Sequence, residues 1–455
     1  MRLTFRLFLT GYFAGVLLAL PLHAQPGPAN PAYPATAWAT LTVKLMTRAP
    51  RNTPTYGSRA LGYIGLTMYE TVVGRNGPYR SVARQLCDTL RLPKCPPQRT
   101  YNPALALNAG QAYMLKALYG YTKNTAPIDS LEAHIRTVYA AQTTPKTVAR
   151  SEAYGRAVAE VLYQWSLRDG GHEGYDRNFP SDHVTPVGAG LWSLPAVVQS
   201  GAKFPMHPTW GQNRTFVPAN ARLPLPQPVP FSTDTTSPYY KMLDEVLQCG
   251  QHLGEAERET VMWWGDDPTL TCSPPGHSYN LATVAVRQTN PDLVRATQTY
   301  CRVGMAVADA FTVCWKTKFT YNVERPSTFI GPSLLKPYSA VRRWNSFFLE
   351  PPFPAFYSGH ATQSAATAAV MTDLYGPDFA FTDSTHVGRE PMNYGFNRHI
   401  YTLTFKPRTY ASFWAAAYEC AESRLLGGIH TRHDNDIGLA EGTKIGNAVN
   451  GLRWK

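Results

Sequence analysis

The chain has 455 residues, 44% apolar and 16% charged, enough apolar content for one large or two modest globular cores and too much for a disordered chain. Lys and Arg number 43 against 31 Asp and Glu, a formal net charge of +12 that suits anionic ligands or surfaces. The basic residues are scattered, without the dense tracts and interleaved aromatics of nucleic-acid binders, so no nucleic-acid partner is expected, and solubility alone is the plain alternative for the surplus.

Residues 1–24, MRLTFRLFLTGYFAGVLLALPLHA, place Arg2 and Arg6 before an apolar stretch running from Leu7 to Leu20, with Ala24 closing the segment. That layout is expected of a signal peptide; the stretch is short for a spanning helix of ~20 residues, and an uncleaved anchor is the rival reading. The expectation is an exported protein, periplasmic or secreted, with no stable membrane span after cleavage. Its net charge then falls from +12 to +10 as two arginines leave.

Apolar residues at three-to-four spacing, bounded by Pro, Gly, Ser, Asp or Thr, predict helices over 36–48, 57–73, 103–120, 127–141 and 147–168. The stretch 205–240 is dense in proline and cannot be regular helix or central strand. It reads as a surface-wrapping connection whose Trp210, Phe216 and Phe231 want burial. Further helices are predicted over 239–250, 255–265, 291–317, 359–374, 409–426 and 434–451. The fold class is therefore all-α, a helical bundle in two packed halves. The expected divisions are 25–204 for the N-terminal helical region, 205–240 for the connection and 241–455 for the catalytic helical domain.

Seven cysteines in an exported chain permit disulfides. Cys87 with Cys95, and Cys249 with Cys272, flank short segments and are candidate local bridges. Cys301, Cys314 and Cys420 sit in apolar helical patterns, as core residues do. The absence of any CxxC pair argues against a cysteine zinc site.

Three motifs carry the chemistry. In KFTYNVERP, Lys318 is followed after six residues by Arg325 and Pro326; Ser358-Gly359-His360 opens a helix; and in SRLLGGIHTRHD, Arg424 precedes His430 and Asp434. Singly, each has a structural explanation: Lys318 favours a helix C-terminus, Ser358 is a good N-cap, and Asp434 can cap the last helix. Together they describe a pocket for a tetrahedral oxyanion. Lys318, Arg325 and Arg424 neutralise two to three negative charges. The Gly359 amide and Ser358 hydroxyl add equatorial donors, and His360 and His430 take the axial positions. His430 and Asp434 stand at i and i+4, so the carboxylate can fix the imidazole tautomer. A divalent-cation cluster of His430, His433, Asp434 and Asp436 is a competing reading, as is a non-enzymatic anion-binding role.

The motifs match KxxxxxxRP, (P)SGH and SRxxxxxHxxxD, and the chain resembles the superfamily that joins type 2 phosphatidic acid phosphatases, bacterial non-specific acid phosphatases and vanadium-dependent haloperoxidases. The resemblance implies a helical bundle of the haloperoxidase/acid phosphatase type. It implies either a haloperoxidase acting on hydrogen peroxide and halide with vanadate on His430, or an acid phosphatase acting on a phosphate ester through a phosphohistidine, with no cofactor. In both, His360 manages protons. Chain length, the lack of later apolar spans, WGQNRTFVPA and WWGDDPTLTCSPPGH point to the haloperoxidase branch. So do Trp315 and Phe353, which match aromatics beside a halide pocket. Departures from the pattern are Tyr357 in place of the usual Pro, which sets a phenol near the site, and Glu324, a carboxylate able to pair with an arginine. Asp266 or Asp267 is expected to orient Arg424.

Overall fold

A computed structural model of the chain describes residues 30–455 except 75–76, 196, 269, 335–343 and 397–398. The signal-peptide expectation over 1–24 lies outside the described residues. The N-terminal half holds α1 (Tyr33–Arg48), α2 (Pro54–Val73), α3 (Ala83–Leu86), α4 (Pro103–Tyr119), α5 (Ala126–Ala140) and α6 (Pro145–Ser166). After the proline-rich stretch come α7 (Pro238–Gln251), α8 (Glu255–Trp263), α9 (Ser273–Thr289), α10 (Leu293–Tyr321), α11 (Pro326–Phe329), α12 (Gly359–Tyr375), α13 (Phe413–Leu426) and α14 (Arg432–Asn450). Between α12 and α13 lie four short strands, β1 (Phe381–Asp383), β2 (Met392–Phe396), β3 (His399–Leu403) and β4 (Arg408–Tyr410), pairing antiparallel as β1 with β4 and β2 with β3.

The helices start where local chemistry says they should. Thr53, Asn102, Thr144 and Ser237 each accept the N–H three residues on, and each is followed by a proline. The cap satisfies one orphan donor, and the proline, which lacks an N–H, sits where none is needed. Two differences from the sequence reading are instructive. Helix α9 begins at Ser273-Pro274-Pro275, a run that reads as a turn but supplies prolines at permitted first-turn positions. The helix expected from 409 starts only at Phe413, because Arg408–Tyr410 is drawn into the ladder with β1 and Ser412 caps the helix.

The two halves meet along α2 and α10. Every residue of α2 is buried, Arg59 and Glu70 included. The backbones touch through glycines: a β-carbon at Gly65 would lie 2.5 Å from the Tyr300 carbonyl oxygen, and one at Gly304 would lie 2.4 Å from that of Leu61. The proline-rich stretch crosses α10 as two 3₁₀ turns, Trp210–Gln212 and Asn220–Arg222. It is pinned by buried Asp309, whose carboxyl group accepts the N–H groups of Phe216 at 2.6 Å and Val217 at 3.0 Å and the Asn220 amide at 2.8 Å. Trp210 and Phe216 are buried, whereas Phe231 is 40% exposed and edges onto Tyr239 and Phe329. Neither expected disulfide forms: Cys87, Cys95, Cys249 and Cys272 remain thiols, with Cys272 buried at the start of α9. Among the described residues no helix is long and apolar enough to cross a membrane.

Candidate oxyanion-binding site

The last turn of α10, the start of α12 and the α13–α14 turn converge on one pocket. Ser358 is the N-cap of α12: its hydroxyl oxygen accepts the Ala361 N–H at 3.3 Å, leaving its own hydrogen free to donate. Gly359 and His360 are the first two helical residues, where backbone N–H groups have no partner within the helix and the positive end of the dipole faces outward. Gly428, at φ +75°, lies against the Trp344 ring. It lets the chain leave α13 and present His430 just before α14.

Thr431 caps α14 in a reciprocal box with Asp434, Asp434 N–H to the Thr431 hydroxyl at 3.1 Å and Thr431 N–H to the Asp434 carboxylate at 3.2 Å. The same carboxylate oxygen accepts from His430 Nδ1 at 3.0 Å. The contact thus comes from a helix entry, not from a shared helical turn. It fixes the proton on Nδ1 and leaves Nε2 with a lone pair, which accepts from Arg325 Nη1 at 3.1 Å.

Lys318, Arg325 and Arg424 are fully buried. Lys318 Nζ donates to the carbonyls of Pro354 at 2.9 Å and Ala355 at 2.6 Å. Arg325 holds the carbonyls of Phe353 and Ile429 at 2.9 and 2.7 Å. Arg424 donates to the Val261 carbonyl at 2.7 Å and the Ser423 hydroxyl at 3.0 Å, and its Nη1 has no protein partner. His360 Nε2 is likewise buried and unpartnered. Burial pushes the Lys318 ammonium down to about 7 and Arg325 to about 10. Burial, reinforced by the neighbouring cations, holds both His360 and His430 well below the usual imidazole value. Buried polar atoms are rarely left unpaired, and buried cations need counter-charge. Unfilled donors beside crowded cations fit a tetrahedral oxyanion such as vanadate or phosphate.

This electrostatics predicts a proton linkage. Phosphate bound beside Lys318 restores its charge, so above pH 7 binding takes up a proton and affinity falls as pH rises. Calorimetry at pH about 8.5, where phosphate is already a dianion, should show close to one proton taken up per anion in wild type and markedly less in Lys318→Met. Heats independent of the buffer's ionisation enthalpy contradict the linkage.

Several neighbours sit differently from expectation. Glu324 does not pair with an arginine; it accepts the Tyr239 hydroxyl at 2.7 Å from α7, and burial raises its pKa. The carboxylate nearest in effect to Arg325 is buried Glu350. Tyr357 is fully buried against Phe356, its phenol in the field of Cys314 and Glu441, and it does not line the cavity described below. The alternative cation cluster is not assembled, since His433 stacks on Phe356 with centroids 5.7 Å apart and Asp436 is exposed. Arg424 is held by a carbonyl and a hydroxyl, with Asp266 and Asp267 acting on it only through space.

Asp266 is engaged elsewhere, in a buried network that sequence reasoning missed. His277 donates from Nδ1 to Asp266 at 2.8 Å and from Nε2 to Asp383 at 2.7 Å, and it stacks on Trp264. His386 Nε2 lies 2.9 Å from the other Asp266 oxygen. Burial opposes a charged His277, but the two carboxylates overcome it and raise its pKa to about 10. Against the same burial, His277 and His386 hold Asp266 far below the carboxylate range. A bridging imidazolium satisfied on both sides is an ion-pair network, and it fixes Asp266 at the cavity wall. A raised histidine pKa gives stability that is complete below the unfolded value near 6.5 and lost as pH rises through about 10. His277→Gln is therefore expected to cost about 3 kcal/mol at pH 7 and to flatten the decline in melting temperature between about pH 7 and 10. Thermal melts across that range test both, and an unchanged alkaline decline contradicts the bridging role.

His360 and His430 line a cavity of about 440 Å³. Trp315 and Phe353, with ring centroids 4.7 Å apart, form its wall beside them. Residues 51–54, with Tyr175, Asp176, Asn178 and Phe179, bring the N-terminal half into its lining. Nothing in their sequence marks them, because their role comes only from the packing of the two halves.

Residues 298–453 match the family model of the VCPO second helical-bundle domain. No curated protein sequence matches the chain. Among solved structures, the crystal structure of the first bacterial vanadium-dependent iodoperoxidase superposes with a TM-score of 0.78 at 27% identity, over 93% of this chain and 96% of that one. The holo form of a bacterial vanadium-dependent chloroperoxidase gives 0.65 at 16% identity, over 89% and 92% of the two chains. The corresponding values for the apo form are 0.66 at 15%, over 89% and 95%. The last two show a shared fold. With the three motifs gathered in one place, residues 298–453 form a second helical bundle of the VCPO type, and the chain as a whole is haloperoxidase-like in fold.

Proposed function

We propose that the protein is a vanadate-dependent haloperoxidase that oxidises halide with hydrogen peroxide. The observation that carries this reading is the likeness to the iodoperoxidase along nearly the whole chain, which includes the N-terminal half that helps to line the cavity. Vanadate would be held by His430 Nε2, with Lys318, Arg325, Arg424, the Ser358 hydroxyl and the Gly359 amide as donors to its oxygens. Bound there, it supplies a Lewis-acidic centre that activates hydrogen peroxide toward halide.

The remaining chemistry belongs to the chain. Asp434 keeps the proton on His430 Nδ1, so Nε2 stays available as a ligand. His360 is neutral in the anion-free pocket, so its Nε2 accepts a proton from hydrogen peroxide and later returns it to the departing oxygen. Trp315 and Phe353 strip water from the halide and keep bulk solvent from the reacting oxygen. Lys318 and Arg325, each within 5.3 Å of the Phe353 ring centroid, supply the positive field in which a small anion sits against that aromatic wall.

The test is a parallel assay of purified protein with and without orthovanadate. Peroxide-dependent halogenation of a dione is measured with iodide, bromide and chloride, beside hydrolysis of an aryl phosphate. The expected result is vanadate-dependent halogenation. Phosphate release without vanadate, and no halogenation, would instead assign the pocket to a phosphatase with His430 as nucleophile.

A further inference from the structure

The two buried arginines of the pocket are held in different ways. Arg325 has all of its nitrogens engaged, on the carbonyls of Phe353, Pro354 and Ile429 and on His430. Arg424 donates from Nε to the Ser423 hydroxyl and from Nη2 to the Val261 carbonyl, and its Nη1 has no partner. Two neutral contacts leave a planar head free to tilt and do little for its buried charge.

Phe348 meets both needs. The guanidinium carbon of Arg424 lies over its ring, 4.9 Å from the centroid, well within cation–π range. Phe348 also lines the same cavity as His360 and His430. It is 2% exposed and is itself firmly placed. Its N–H donates to the Gly427 carbonyl at 2.9 Å, which ties it to the end of α13, the helix that carries Arg424. A β-carbon at Gly427 would lie 3.2 Å from Phe348 Cβ, and one at Gly265 would lie 2.8 Å from its Cε2, so backbone packs against both ends of the side chain. The neighbouring Phe347 is braced by the β2–β3 hairpin, where Tyr394 packs on its ring at 4.9 Å between centroids and donates to its carbonyl.

We propose that Phe348 is the positioning residue of Arg424: its ring face holds the guanidinium in the orientation that keeps Nη1 free for an oxyanion oxygen. An aromatic face attracts a cation through its quadrupole and leaves the in-plane N–H groups untouched. A carboxylate in the same place would pair with Nη1 and compete with the anion. Phe353 makes the matching contact with Lys318 and Arg325, so each of the three cations has an aromatic face beside it. The inference rests on Arg424 serving the oxyanion pocket, and not on which reaction follows there.

The test is a double-mutant cycle read by calorimetry of inorganic phosphate binding. Phe348→Leu keeps an apolar side chain and removes the ring face, and the phosphate dissociation constant is expected to rise about five- to tenfold. Arg424→Met alone is expected to weaken phosphate about a hundredfold, still measurable in the millimolar range. In that background Phe348→Leu should change affinity by less than about twofold, because Phe348 acts through Arg424. In Lys318→Met, where Arg424 remains, it should keep its five- to tenfold effect. Thermal melts check folding, and Phe348→Met, with an adaptable side chain, replaces Phe348→Leu in every arm if the latter does not fold. Unchanged phosphate affinity in Phe348→Leu, or an equal loss with and without Arg424, overturns the inference and leaves the pocket standing. Absence of saturable phosphate binding to wild type overturns both.

Discussion

Replacing His430 with alanine is expected to reduce peroxide-dependent iodide oxidation by at least about a thousandfold and to abolish vanadate binding at micromolar concentrations. The reason is positional. His430 Nε2 is the imidazole nitrogen in the pocket whose lone pair is fixed by a carboxylate on the other ring nitrogen. It also faces Arg325. The three cations can attract an oxyanion without it, but they cannot supply a covalent or coordinate bond at one apex.

Asp434→Asn separates the two parts of that argument. Asparagine can still accept from the ring through its amide oxygen, but it removes the negative charge that compensates Lys318 and Arg325. A partial loss is expected, about ten- to a hundredfold, as for other partners that orient metal-bound histidines. Triiodide formation reads the activity and ⁵¹V resonance the binding. Wild-type melting behaviour in His430→Ala shows that the loss is chemical. Retention of more than about a tenth of the activity in His430→Ala would falsify the apical assignment.

What the sequence made legible was whatever is local along the chain. The N-caps, the first-turn prolines, the Lys318-to-Arg325 interval and the Asp434 capping box all lie within a few residues of the groups they serve. What it concealed was tertiary. Tyr239 reaches Glu324 from α7, and Asp383 and His386 reach Asp266 and His277 from the segment after α12. A carboxylate beside an arginine in sequence is no guide to its partner once burial forces it to find the nearest donor. The cavity lining from Tyr175, Asp176, Asn178 and Phe179 was invisible for the same reason. The cysteine expectation failed because spacing states only that two thiols are near in sequence, and bridging needs a narrow geometry. Prolines 274 and 275 hid α9 because the same residues serve as turn formers and as first-turn residues.

Three glycines set the spacing of the helices that carry His360 and Asp434, and this sets the second large expected effect. His360 rides on α12, and Asp434, which holds His430, on α14. Gly438, Gly442 and Gly446 stand four residues apart on one face of α14, against the carbonyls of Ser358, Thr362 and Ala366 on α12. A β-carbon would lie 2.8, 2.1 and 2.6 Å from those oxygens respectively, and the obstructing atoms are backbone. The α12 side of the seam is built from Ala361, Ala365 and Ala369, so neither helix has a large side chain whose rotation could make room.

Gly442→Val therefore has to push the two helices apart at the middle of the seam. It is expected to destabilise the fold by about 3 kcal/mol or more. Any folded fraction should lose most of its activity, because a shift of ~1 Å between axial groups is enough to misplace them. Gly120 is the matched control: a β-carbon there meets nothing within 4 Å and the backbone is already helical, so Gly120→Ala should melt within about 1 kcal/mol of wild type. Chemical denaturation of both variants beside wild type, with phosphate affinity measured on the folded material, decides the matter. If Gly442→Val matches the control in stability and still binds phosphate, then the close approach of α12 and α14 is not what aligns His360 with His430.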